Sequence, residues 1–116
     1  MVSYPFVDDP KPPGPVELDK NVSGTVTVSW TPSPDEKKDD RLHYMITKRD
    51  SVKRTWQNVA DHLFNNKFTA INIMPGRQYQ FRVYAKNDIG LSEPSESPTW
   101  EVKRTKGRFN SSESKL

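Results

Sequence analysis

At 116 residues the chain is one domain's worth of polypeptide, long enough to bury about two-thirds of the surface that its unfolded form would expose. It has no cysteine, which excludes disulfides, thiolate catalysis and cysteine-ligated zinc or iron–sulfur sites. Eighteen basic and fifteen acidic residues give a net charge of +3, and outside Lys103 to Arg108 they are interspersed rather than gathered with stacking aromatics, so nucleic acid is not an expected partner.

Ten prolines, a hydrophobic share of 32% and a mean hydropathy of -0.90 assign part of the chain to loops and tails. No apolar run approaches the ~18 residues of a membrane span. The opening MVSYPFVDD has neither the basic region nor the apolar core of a signal peptide. No membrane partner is therefore expected, and the composition fits a cytoplasmic protein.

Residues 1–15 carry Pro5, Pro10, Pro12, Pro13 and Pro15, too many for a strand interior. They read as a semi-rigid extended lead-in, with residues 1–12 as a proline-rich linker to whatever precedes the domain. A first short strand is expected over Val16 to Asp19, then a turn at Asn21-Val22-Ser23-Gly24. Thr25 to Thr31 follows as a clearer strand, in which Val26, Val28 and Trp30 share one face. The charged run Asp35 to Arg41 lacks the alternating acids and the glycine of a calcium loop and reads as a solvated connection.

Leu42 to Arg49 resumes a strand, with Leu42, Tyr44 and Ile46 on one face and His43, Met45, Thr47 and Arg49 on the other. After a polar turn, a short strand is expected over Trp56 to Val59, then a connection from Asp61 to Asn66. His43 and His62, the two histidines, form no nucleophile and base arrangement that sequence can expose, and no metal site is expected. Phe68 to Ile73 is the strand before a corner at Pro75-Gly76.

The clearest alternation comes next: Tyr79, Phe81, Val83 and Ala85 on one parity, Gln80, Arg82, Tyr84 and Lys86 on the other. Leu91 to Pro98 is punctuated by serine and proline, and Trp100, Val102 and Arg104 mark a last strand. Residues 13–105 thus form the domain, and residues 106–116 a polar tail expected to be disordered. The count is about seven strands without an amphipathic helix, the pattern of an all-β antiparallel sandwich. Its expected core is Trp30, Tyr44, Ile46, Ile73, Tyr79, Phe81 and Val83.

The chain resembles a fibronectin type III domain, an immunoglobulin-like β-sandwich of seven strands. The resemblance rests on Trp30 in TVTVSWTPS, Tyr44 and Ile46 in LHYMITKRD, the corner IMPGRQYQFRVYAKN and the GLSEP that follows it. It implies a tyrosine corner, in which the Tyr79 hydroxyl bonds back to upstream backbone. The proline-rich lead-in, YMITKRD before Trp56, and FRVYAKNDIGLSEPS are more narrowly similar to the type III domains of the titin, twitchin and myosin-binding-protein group. Those are muscle proteins built from tandem immunoglobulin-like and type III units.

That resemblance implies a non-enzymatic structural and protein-interaction module of a larger intracellular, sarcomeric scaffold, monomeric in isolation. Its partners would be proteins, including neighbouring immunoglobulin or type III domains, with no cofactor. The family places the strands of Met45, Thr47 and Arg49 and of Arg82, Tyr84 and Lys86 side by side, which makes these outward residues the candidate partner face. They combine types enriched at interfaces with cationic reach toward an acidic partner. The other reading is an extracellular adhesion or receptor module, for which Asn21-Val22-Ser23 and Asn110-Ser111-Ser112 supply glycosylation sequons.

Overall fold

The computed structural model describes residues 9–103. The expected tail and the sequon at Asn110 lie outside the described residues. The chain forms β1 (Val16–Lys20), β2 (Val26–Trp30), β3 (His43–Asp50), β4 (Trp56–Leu63), β5 (Lys67–Ala70), β6 (Gln78–Lys86), β7 (Ser95–Glu96) and β8 (Trp100–Glu101). One antiparallel sheet has the order β1-β2-β5, and the other runs β4-β3-β6-β7 with β8 also on β6.

Eight segments make seven strands' worth of sandwich, because β7 and β8 occupy the same edge of β6 and are separated by Ser97-Pro98-Thr99. Pro98 has no N–H to give the ladder. Ser97 keeps the edge attached on the other side of that break: its N–H donates to the Phe81 carbonyl at 2.8 Å and its Oγ accepts the Phe81 N–H at 3.0 Å. Ser92 repeats the device on Ala85, at 2.8 and 2.9 Å. Serine hydroxyls thus stand in for ladder carbonyls along a proline-interrupted strand.

The alternation of β2 and β6 sorts side chains between core and surface. Val26, Val28 and Trp30 meet Tyr44, Ile46, Tyr79, Phe81, Val83 and Ala85 between the sheets, and all are buried. Trp30 lies edge-on to Tyr44, ring centroids 5.4 Å apart. Ile73 and Leu42 close the core at two loops. Lys48 shares the inward parity of Tyr44 and Ile46 but sits near the sheet's end, over the Tyr79 ring at 5.5 Å. Its burial draws the ammonium pKa below the ordinary lysine value.

Three stretches differ from the sequence expectation. β4 runs on through Asp61, His62 and Leu63, which read as a connection, because pairing with β3 continues to Tyr44 opposite Leu63. A bulge carries it past the broken alternation. The lead-in, read as linker through residue 12, is bonded to the domain: Lys11 N–H donates to Asp35 Oδ2 at 2.9 Å, and Ser33 Oγ donates to the Lys11 carbonyl at 2.7 Å. Gly14 then lies so close to β2 that a Cβ there would stand 2.6 Å from the Thr31 Cβ.

The third is the charged run, whose first acids are structural rather than merely solvated. Asp35 is buried. Glu36 accepts from the Tyr44 hydroxyl and, at 3.3 Å, from Asn66 Nδ2, while Tyr44 Oη accepts the Ser33 N–H at 3.0 Å. Burial, reinforced by Glu36, raises the Tyr44 pKa, so the phenol keeps the proton it donates.

The β3–β4 turn is pinned by Asp50, whose Oδ1 accepts the N–H groups of Val52 at 2.9 Å and Lys53 at 2.6 Å, with Arg77 3.5 Å from Oδ2. Burial opposes ionisation of this carboxyl, but the two N–H groups and Arg77 outweigh it and hold the pKa below the ordinary aspartate value. The folded carboxylate is therefore harder to protonate than the unfolded one. Its stabilisation is complete above the ordinary aspartate pKa of 3.8 and is lost as pH falls through the lower folded value. Urea midpoints of the native chain and Asp50→Asn should differ most near neutral pH and converge in acid. A pH-independent difference would remove the carboxylate's charge from this account.

Candidate functional site

The outward side of the larger sheet carries the residues singled out in the sequence. β3 and β6 pair antiparallel, setting Met45 opposite Tyr84, Thr47 opposite Arg82, and Arg49 opposite Gln80; Lys86 lies opposite His43. The structure thus brings Met45, Arg49, Arg82, Tyr84 and Lys86 onto one face, each half-buried among its neighbours. Thr47, in the middle, is buried.

A row of contacts crosses the sheet on this face. Trp56 of β4, opposite Arg49 of β3, meets Arg82 of β6, whose guanidinium carbon lies 4.1 Å from the indole centroid. Arg82 Nε in turn donates to Glu96 Oε1 of β7 at 2.9 Å. A guanidinium held between an aromatic face and a carboxylate has its charge and one of its donors engaged within the domain. Arg82 is therefore a brace for the sheet more than a free cation.

Arg49 is more loosely engaged, with Nη1 3.4 Å from Gln80 Oε1, and Gln80 passes the contact on to Thr99 Oγ1 at 3.1 Å. Tyr84, Met45 and Lys86 have no such row across them. The approachable part of the face is the Met45–Tyr84 pair, with Lys86 beside it.

Trp56 and Glu96 belong to this face and were missed by the sequence reading, which took Trp56 as one more strand apolar. Their signal is pairing between strands, since Trp56 and Arg82 are far apart in the chain. Similarly, His43 and His62 stack with centroids 4.6 Å apart, beside Asp61 and Phe64 at the other end of β3 and β4. Among the glycosylation sequons, Asn21 is exposed in the β1–β2 turn, where its Nδ2 donates to Thr27 Oγ1 at 2.9 Å.

The expected corner is present: Tyr79 is buried, and its Oη accepts the Met74 N–H at 2.8 Å. Gly76, at φ +84°, supplies the left-handed residue that the turn after Pro75 requires.

Comparison with known proteins agrees with this architecture. Over 91 residues the chain is 36% identical to the titin homolog of Caenorhabditis elegans, covering 78% of this chain and, to the nearest per cent, 0% of that protein. It is 30% identical over 92 residues to the human slow-type myosin-binding protein C, covering 79% of this chain and 8% of the relative. Contactin-6 of Rattus norvegicus is 35% identical over 102 residues, covering 84% and 10%. The chain thus spans a tenth or less of these relatives. Among solved structures, titin domains A168–A170 superpose with a TM-score of 0.70 at 29% identity, over 84% of this chain and 33% of that one. The family model for the fibronectin type III domain matches residues 11–100, and together with the sandwich, the tyrosine corner and these relatives it shows that the chain belongs to the fibronectin type III family.

Proposed function

We propose that this domain is a non-enzymatic structural and protein-interaction module of a larger intracellular scaffold, placed at the sarcomere, with immunoglobulin-like or type III domains as its neighbours. The observation that carries the reading is the 36% identity to a titin homolog over one module's length, together with the match to titin domains. The anchored lead-in supports a spacer role. With Lys11 and Gly14 bonded to the domain, the proline-rich segment leaves it along a fixed path from residue 11 to residue 15.

The partner face would act through Met45, Tyr84, Lys86 and Arg49, on a protein that presents acidic side chains. Arg82 contributes by bracing β6 against Trp56 of β4 and Glu96 of β7. Tagged full-length protein expressed in striated muscle cells should fall into a periodic sarcomeric pattern, whereas a cell-surface location would overturn this reading. Should Tyr84→Ala with Lys86→Ala leave the affinity of every partner found there unchanged, the face is only a surface.

The second reading is an extracellular adhesion module, favoured by the 35% identity to contactin-6 and by the exposed sequon at Asn21. Secretory expression followed by a mass measurement tests whether Asn21 takes a glycan, and the location of the full-length protein decides between the two.

A further inference from the structure

The two histidines are separated by most of β3, a turn and most of β4, yet their rings stack within 7° of parallel. A bulge brings them together. Tyr44 pairs with Leu63 but Ile46 with Ala60, so two steps along β3 are matched by three along β4. His62 absorbs the extra residue at φ +54°, in the left-handed region that histidine, asparagine and aspartate enter more readily than other side chains. One ligating atom from each of His43, Asp61 and His62 then lies within 4.8 Å of the others.

The protonation of His43 follows from its neighbours. Nδ1 lies 3.0 Å from the Arg41 carbonyl oxygen, which can only accept, so Nδ1 is the donor and, in the neutral ring, the lone pair is on Nε2. That Nε2 is buried and meets no hydrogen-bond partner among the described residues. A backbone carbonyl on the far ring nitrogen is also what orients histidines that bind metals through the near one. Phe64, 5.6 Å from the His43 ring, packs against it from the following residue pair.

We propose that His43, His62 and Asp61 form a surface site for a borderline divalent transition-metal ion of the zinc class. Two imidazole nitrogens and one carboxylate oxygen supply three ligands, and water completes the tetrahedron. The donor set selects the class, because calcium and magnesium require oxygen ligands in larger number, and a site rich in soft metals' preferred thiolate cannot exist in a chain without cysteine. Parallel rings direct their lone pairs along separate planes, so one ring must turn for both to meet the ion. The His62 side chain, 70% exposed, is the one free to turn, while the Arg41 carbonyl and Phe64 hold His43.

The test is calorimetric titration of zinc chloride into the full chain, with the histidine ring resonances followed by NMR in parallel. The expected result is saturation at one equivalent with both imidazoles shifted. His62→Ala and His43→Gln should each weaken binding by about tenfold or more, and Asp61→Asn by less. Because His62 sits at positive φ, where alanine is strained, His62→Asn, which tolerates that backbone, should bind zinc as weakly as His62→Ala while staying close to the native melting temperature without zinc, which separates loss of a ligand from loss of fold. The proposal is overturned if no saturable binding occurs, or if folded His62→Ala binds zinc as tightly as the native chain.

Discussion

Replacing Trp30 with alanine should destabilise the domain by about 3–5 kcal/mol, the range for truncating a large buried aromatic. The indole is 5% exposed and sits between the sheets, edge-on to Tyr44. Three costs coincide there: lost transfer of apolar area from water, a cavity that two paired sheets cannot collapse to fill, and the lost edge-to-face contact. Against a typical domain stability of ~5–15 kcal/mol this is a large fraction, so the variant should be partly unfolded at body temperature if the native margin is small.

Trp30→Phe separates these costs. Trp30 Nε1 makes no hydrogen bond among the described residues, so phenylalanine forfeits none and retains a ring against Tyr44. It should fall well short of the alanine variant in its loss. Urea unfolding with an unchanged slope reads both values. An alanine variant within about 1 kcal/mol of native would show that the sheets repack without the indole, contrary to the close packing described for this core.

The second large effect is expected at Tyr79, where phenylalanine should cost about 1–3 kcal/mol through a single oxygen atom. The ring is 1% exposed and packs identically in either residue, so the substitution isolates the hydroxyl. Its loss strands the Met74 N–H, now 2.8 Å from Tyr79 Oη. The turn around that amide is conformationally demanding, with Asn72 at φ +61° and Gly76 at +84°, and the tyrosine bond from the start of β6 holds it closed. Hydrogen exchange makes the claim local: the Met74 amide should lose protection in Tyr79→Phe while Phe81 and Val83 keep theirs. Equal stability of the two proteins would remove the corner from the account of this fold.

The extent to which the domain was legible before its structure follows from where the information lies. In β2 and β6 the alternation of apolar and polar residues is local, and Val26, Val28, Trp30, Tyr79, Phe81 and Val83 lie buried where parity put them. β4 was less legible because its burial is irregular along its length: it is an edge strand with half-buried and exposed residues and a bulge, so no clean period marks its end. The last edge was obscured by Pro94 and Pro98, whose effect is offset by the Ser92 and Ser97 hydroxyls on β6 backbone. Side-chain substitution for a ladder bond leaves no periodic trace.

The candidate face shows the same division. That Arg82, Tyr84 and Lys86 point away from the core is a property of one strand. That Arg82 is clasped by Trp56 and Glu96 is a property of four, and changes its role from free cation to brace. His43 and His62 had no sequence relation at all until a one-residue bulge aligned them.

By itself, then, the order of residues determined the sandwich, its core and the corner at Pro75-Gly76, since period-2 burial and turn chemistry are decided within a few residues of chain. The tertiary structure decided which charges are free and which distant side chains share a site. Those depend on register between strands and on bulges, and a shift of one residue in pairing, invisible in local pattern, moves a side chain from one neighbour to another.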